Sequence, residues 1–348
     1  MKRFSAKYWR WGVWAALFIY IAVCRYIPSC GEWYACYVYP VISIALSALV
    51  SFIPFSLEEV LVVSVVLFQA IYPCYARRRK VAWWIVIRRE LEILVGMYCW
   101  FYVGWGMNYY RHDFFTRSGI QPLAYDSVCF HRFVTGYIER LNDSRVPDVR
   151  FDCDGLEKNV KQLYGQISDG FGLSDPQSWQ HPKRVLFNPL YSGVGVLGYM
   201  GPFFAESQLN TELPPVQYPF TYAHEYAHLL GVSSEAEANF WAYQVCTRSS
   251  SASVRYSGYF GLLPYVLINA RSVLNEQTYR KLFESISPEV RKDLVQTQEY
   301  WQVRYSPLVG KIQDVVYSWY LKGNKISSGQ KNYSEVIGMI ISLPEHWW

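Results

Sequence analysis

Residues 220–243 read FTYAHEYAHLLGVSSEAEANFWAY and contain His224-Glu225-Tyr226-Ala227-His228. Side chains four residues apart share one face of a helix, so both imidazoles can reach a single tetrahedral Zn2+. Glu225 follows the first histidine and points toward the remaining open position. A carboxylate there can take a proton from the attacking water. Thr221 is placed to cap this helix, and Gly231 is a natural stop. Pentads of this kind also arise by chance, so the surroundings decide. The chain holds only six histidines, and two of them fall here. Ala223, Ala227, Leu229 and Leu230 make the helix apolar, where a His-Glu-His set is costly without a partner.

A second helix follows at once, beginning at Ser233 or Ser234 and running through Glu235-Ala236-Glu237-Ala238-Asn239-Phe240-Trp241-Ala242. Glu235 and Asn239 share a face, while Glu237 lies about 200° round from Glu235. Glu235 is therefore the third metal ligand we expect, and Asn239 the group that orients a histidine from behind. Glu237 is the alternative third ligand.

These residues resemble the glutamate-ligand zinc peptidases (gluzincin-like), especially the membrane-bound CAAX-processing and heat-shock HtpX-type proteases. Glu235, Ala238, Asn239, Trp241 and Ala242 carry the likeness. The whole chain is similar to an uncharacterised bacterial family of membrane-anchored, zinc-peptidase-like proteins. That similarity rests on PFS (54–56), GYMGPFFAESQLN (198–210), the PF…HExxHxxG run (219–231), EAEANF (235–240) and YLKGN (320–324). The link from His228 to Glu235 is short for a gluzincin. The metzincin pattern would place its third ligand at Ser234, a poor ligand for zinc, and is set aside.

The resemblance implies a zincin-like fold, a Zn2+ cofactor and a peptide or protein substrate. Such enzymes lay an extended substrate along an edge strand ahead of the metal helix. Gly193–Met200 is the matching segment, with Gly195 and Tyr199 as candidate contacts. Glu206 and Asn210 follow and can touch the ends of a substrate, or else belong to a loop that brackets the metal helix. Tyr199, Tyr256 and Tyr259 are candidates for stabilising an oxyanion. His112, His131, His181 and His346 have no ligand spacing.

Outward from the motif, residues 111–348 read as one mainly helical α+β domain with a small sheet. Helical patterns run over 126–141, from Asp154 through LEKNVKQLYGQI, and over 221–231, 235–247, 258–273, 288–300 and 308–322. A strand is expected over 193–200 and a loop over 211–219. Residues 1–110 form a multi-span membrane region. Its spans are 11–29, 57–75 and 90–107, each close to the roughly 20 residues that cross a bilayer. The stretch 34–54 is apolar enough to span as well. A fourth crossing would separate the N-terminal basic cluster from Arg77-Arg78-Arg79-Lys80, which the positive-inside rule keeps together. We read 34–54 as interfacial or re-entrant, with four crossings as the alternative.

Composition agrees with a membrane protein. Aromatic residues are 18% of the chain and charged residues also 18%, below the roughly 25% charge usual for soluble domains. The net charge of +5 comes from the apolar first third, where 11 Lys and Arg meet 5 Asp and Glu. That placement argues for topology signals and against a nucleic-acid partner. None of the eight cysteines forms a CxxC pair, so a thiolate metal site has little support. Cys129 and Cys153 can pair if that domain is extracytoplasmic. The expectation is a zinc metallopeptidase held in the bacterial inner membrane, in contact with the lipid bilayer, with its catalytic domain outside the cytoplasm. The rival expectation is a non-catalytic membrane protein with a structural or vestigial zinc site that binds a partner in the cell envelope.

Overall fold

Apolar helices open the chain: α1 (Lys2–Tyr26), α2 (Pro28–Val50, π-helical over Tyr34–Val38), α3 (Leu57–Arg78) and α4 (Trp83–Gly104). The computed structural model describes residues 2–124, 126–168, 170–307, 310, 324 and 335–348. Among these, α2 and α3 are the helices long and apolar enough, by length and composition, to cross a membrane. The stretch expected to be interfacial thus falls largely within one continuous helix. Ser56 caps α3 by accepting from Glu59 N at 3.2 Å. Glu58 and Glu59 in the first turn, with Arg77 and Arg78 in the last, match the helix dipole.

α3 and α4 form a hairpin, with Gln69 Nε2 donating to Glu90 O at 3.3 Å and Arg89 Nη1 to the Tyr72 hydroxyl at 2.7 Å. The end of α4 and the start of α3 meet at one residue. Trp100 Nε1 donates to Phe203 O at 3.0 Å, and Phe203 N donates to Glu58 Oε2 at 3.1 Å. Arg25 donates to the Tyr110 hydroxyl at 3.1 Å, which brings the end of α1 to the same level. Because α2 joins the end of α1 to the start of α3, it begins and ends at that level. Along its length α2 packs on the remainder of the chain. Glu32 pairs with Arg111 at 2.7 Å, Tyr39 donates to Leu229 O at 2.7 Å, and Lys183 donates to Val50 O at 2.7 Å.

The remaining elements include α5 (Ser127–Ser144), α6 (Cys153–Ile167), β1 (Lys183–Arg184), β2 (Gly198–Gly201), β3 (Glu206–Leu209), α7 (Tyr218–Leu229), α8 (Glu235–Thr247), α9 (Ala252–Val273), α10 (Glu276–Ser285), α11 (Pro288–Arg304) and α12 (Val336–Ile341), with short helices at Phe114–Ser118 and Asn188–Gly193 and 3-10 turns at Gly106–Tyr110 and Glu345–Trp347. The sheet has order β1-β3-β2, with β1 parallel and β2 antiparallel to β3. Phe55 extends it through a parallel bridge to Arg184. α7, α8 and α9 pack together as the centre of the core, where Tyr226, Phe240, Trp241 and Tyr243 are fully buried.

Several local expectations shift. The cap of α6 is Asp152, which accepts from Gly155 N at 2.8 Å, rather than Asp154. The strand begins at Gly198, because Gly193 closes a short helix (Asn188–Gly193) and the chain then turns with Gly195 at φ +76°. Pro219 starts α7 a turn earlier than Thr221, which lies inside the helix. Cys129 and Cys153 are free thiols. Most of the helix expected over 308–322, and YLKGN except Asn324, lie outside the described residues, as does the side chain of His346.

Candidate metal centre

α7 and α8 meet at a tight corner. α7 ends at Leu229, Gly231 turns the chain at φ +100°, and Ser234 caps α8 by accepting from Glu237 N at 3.3 Å. The last carbonyls of a helix have no partner within it, and here other segments supply them. Tyr39 donates to Leu229 O, Trp105 Nε1 to His228 O at 3.1 Å, and Ser174 N to Leu230 O at 2.9 Å. Two of these three donors come from the apolar first third of the chain.

The corner turns Glu235 back onto the two histidines. His224 Nε2 lies 3.2 Å from His228 Nε2, and Glu235 Oε2 lies 3.1 Å and 3.5 Å from them. A tetrahedral zinc site with bonds near 2.05 Å has edges of about 3.3 Å between donor atoms. Two imidazole nitrogens and a carboxylate oxygen are also a donor set that suits this metal. Each outer ring nitrogen is held from behind. His224 Nδ1 is 2.9 Å from Asn239 Oδ1, and His228 Nδ1 is 2.7 Å from Val232 O. Both contacts call for a proton on Nδ1, so in the neutral imidazole the lone pair sits on Nε2 and faces inward. His224, His228 and Glu235 thus form a group that could hold a metal ion. No other such group occurs among the described residues.

Glu237 is turned away. It pairs with buried Arg117 and accepts from Trp241 Nε1 at 3.2 Å. Glu225 is buried, and its Oε2 has no hydrogen-bond partner among the described residues. Burial pushes its carboxyl up to about 7, against the pull of His224 and His228. Burial disfavours charge on His228, but the neighbouring Glu235 carboxylate outweighs it and pushes the imidazole up to about 9. Glu235 is held well below the usual carboxylate range, because the two histidines outweigh its burial.

The group lines a cavity of about 700 Å³ together with Trp105, Tyr109, Tyr191, Val194–Met200 and Tyr265. Gly195 and Tyr199 therefore reach it. β2 forms the sheet edge beside α7, and a Cβ at Gly198 would come within 2.8 Å of Glu225 Cγ. The glycine is what lets the strand approach the carboxylate so closely. Tyr199 stacks on Tyr191 at 5.2 Å and donates to Glu59 Oε1 at 3.2 Å.

Glu206 and Asn210 are not brought to the cavity. Glu206 pairs with Lys183 at 2.6 Å and accepts from the first amides of α3, Leu57 N at 3.1 Å and Glu58 N at 3.2 Å. Asn210 Nδ2 donates to Ser192 Oγ and Val196 O, both at 3.0 Å, and so fixes the turn before β2. Both are braces. Tyr256 bonds to Asp293 at 2.6 Å, and Tyr259 packs on Tyr137 and Tyr243, so neither lines the cavity. The wall residues Trp105, Tyr109, Tyr191 and Tyr265 were not anticipated. Their only sequence signal is aromatic content, which the chain has everywhere.

Fold and site together define a mainly helical protein with a small mixed sheet, apolar helices near its N-terminus and a His-His-Glu group able to hold a metal ion. The chain belongs to the family described as protein of unknown function DUF3810, whose model matches residues 34–341. Neither the curated proteins nor the solved structures include a match.

Proposed function

We propose that the chain is a membrane-anchored zinc peptidase. The observation that carries this reading is the buried carboxyl of Glu225, whose Oε2 has no hydrogen-bond partner among the described residues, beside three donor atoms spaced for one metal. A site built only to hold metal has no use for such a desolvated carboxyl.

His224, His228 and Glu235 would hold the zinc, and Asn239 and Val232 O would orient the imidazoles. Zinc there would supply Lewis-acid polarisation of the scissile carbonyl. Glu225 takes a proton from the attacking water at its free oxygen and passes it to the leaving amine. The free edge of β2 offers main-chain groups to an extended polypeptide, fixing it beside Glu225.

α1, α3 and α4 are the crossings in this account. The basic clusters at the chain start and at Arg77–Lys80 share one side, and the metal cavity lies at the opposite end of the hairpin. Both ends of α2 sit at the cavity level, which supports leaving it outside the bilayer core. The cavity then faces the cell envelope. Cleavage of a peptide library by the full chain in detergent, wild type against Glu225→Gln, tests the mechanism. Loss of cleavage with zinc retained is the expected result, and full cleavage by the variant would refute it.

A further inference from the structure

Two segments far apart in sequence expose large apolar side chains around the start of α3. On α2, Tyr39, Ser43, Ser47 and Val50 are buried, while Trp33, Tyr37, Val41 and Leu49 are exposed on the opposite face. The inward face also holds Tyr34 and Ala35, so α2 is apolar on both faces, whereas a helix on a protein in water keeps a polar outer face. The inward serine Ser47 has a partner, accepting from Trp179 Nε1 at 3.3 Å. The second segment lies in the region read as the ectodomain. Leu186, Phe187 and Leu190 are 46%, 46% and 59% exposed.

The second segment is fixed to the first turn of α3. Glu59 Oε2 accepts from Leu186 N at 2.6 Å and from Phe187 N at 3.3 Å, and Ser56 N donates to Arg184 O at 3.2 Å. Phe52 and Phe55, which follow α2, rim one cavity of about 720 Å³ with Leu186. The exposed Leu49, Phe52 and Phe55 thus lead from the end of α2 to Leu186. The exposed Val60, Val63 and Leu67 carry this surface onto α3. A contiguous apolar surface of this kind marks a contact with another apolar phase. Its continuity with a helix able to cross a membrane names that phase as the bilayer.

We propose that α2 lies in the plane of the membrane, with its outer stripe in the headgroup–acyl boundary, and that Leu186–Leu190 dips in beside α3 as a second contact. This rests on α3 crossing the bilayer, as in the function proposed above. Tyr191 and Val194, in the cavity wall, follow Leu190 directly, so the cavity opens next to the headgroups. The shape is that of an interfacial helix, which buries its apolar face about 5–10 Å deep.

The test is depth-resolved quenching of the full chain in phosphatidylethanolamine–phosphatidylglycerol vesicles. A fluorescent residue is placed in turn at positions 33, 41, 49, 187, 190 and 281, against lipids spin-labelled at the headgroup or along the acyl chain. Positions 33, 41 and 49 are expected at one shallow depth and 187 and 190 at a similar one. Position 281, on α10, should be quenched several-fold less. A steady change of depth from 33 to 49 would show α2 crossing and overturn the proposal, as would a water-exposed signal at 187 and 190. A label at position 67 reports on α3 itself, and its absence from the acyl region would overturn the premise together with the proposal. None of these signals depends on cleavage. A chain in lipid as described that cuts no peptide would support this surface and count against the peptidase alone.

Discussion

The hydroxyl of Tyr39, in the apolar helix α2, donates at 2.7 Å to the carbonyl of Leu229, the last residue of the helix that carries both histidines. Tyr39 is fully buried. Its removal leaves that carbonyl without its side-chain donor at a helix end. Tyr39→Phe should therefore lower stability by about 1–3 kcal/mol, the usual effect of unpairing a buried polar group. Denaturant unfolding in detergent measures it. An unchanged midpoint would mean that α2 is a tether and no part of the site's support.

The two acids of α8 should separate cleanly. Glu237→Gln leaves buried Arg117 facing a neutral partner, so stability should fall by about 3–5 kcal/mol while zinc is retained. Glu235→Gln should do the opposite, weakening zinc with a smaller effect on folding. Zinc content and thermal unfolding of both variants check this. Zinc lost from the Glu237 variant and kept by the Glu235 variant would reverse the assignment.

Asn239 reaches the candidate metal group through His224 Nδ1, 2.9 Å from its Oδ1. Asn239→Ala should weaken zinc by about 10–100-fold, as loss of an orienting partner does. Chelator competition reads the change. Affinity equal to wild type would show that His224 needs no such support.

Zinc affinity should depend on pH with a definite sign. Without metal, Glu235 keeps a proton on His228 up to about pH 9. Zinc has to displace that proton. Affinity should rise by about tenfold per pH unit from pH 6 toward 9 and level off above it, because one proton is released. Titration at buffered free zinc across this range measures the slope. A flat profile would mean that His228 is already neutral.

The metal group was legible because its chemistry is local. His224, Glu225, His228 and Glu235 fall within twelve residues, and helix periodicity fixes which of them share a face. Glu206 and Asn210, read either as substrate contacts or as part of a loop that braces the metal helix, stayed open for the opposite reason. Their partners are the amides at 57–58, Lys183 and the 192–196 turn, which no spacing rule connects to them. β3 was invisible because Glu206, Ser207 and Gln208 are polar though buried, so it shows neither the alternation of a half-exposed strand nor the apolar run of a buried one. The boundary drawn near residue 110 was blurred by Ser56–Glu59. Those residues open the apolar helix α3 and at the same time hold the sheet.

Two neighbouring helices bring His224, His228 and Glu235 within reach of one metal ion. The most direct test is metal analysis of the purified full chain, wild type against His228→Ala, after dialysis against buffered zinc. One zinc per wild-type chain and almost none in the variant is the predicted result; equal zinc in both would contradict it.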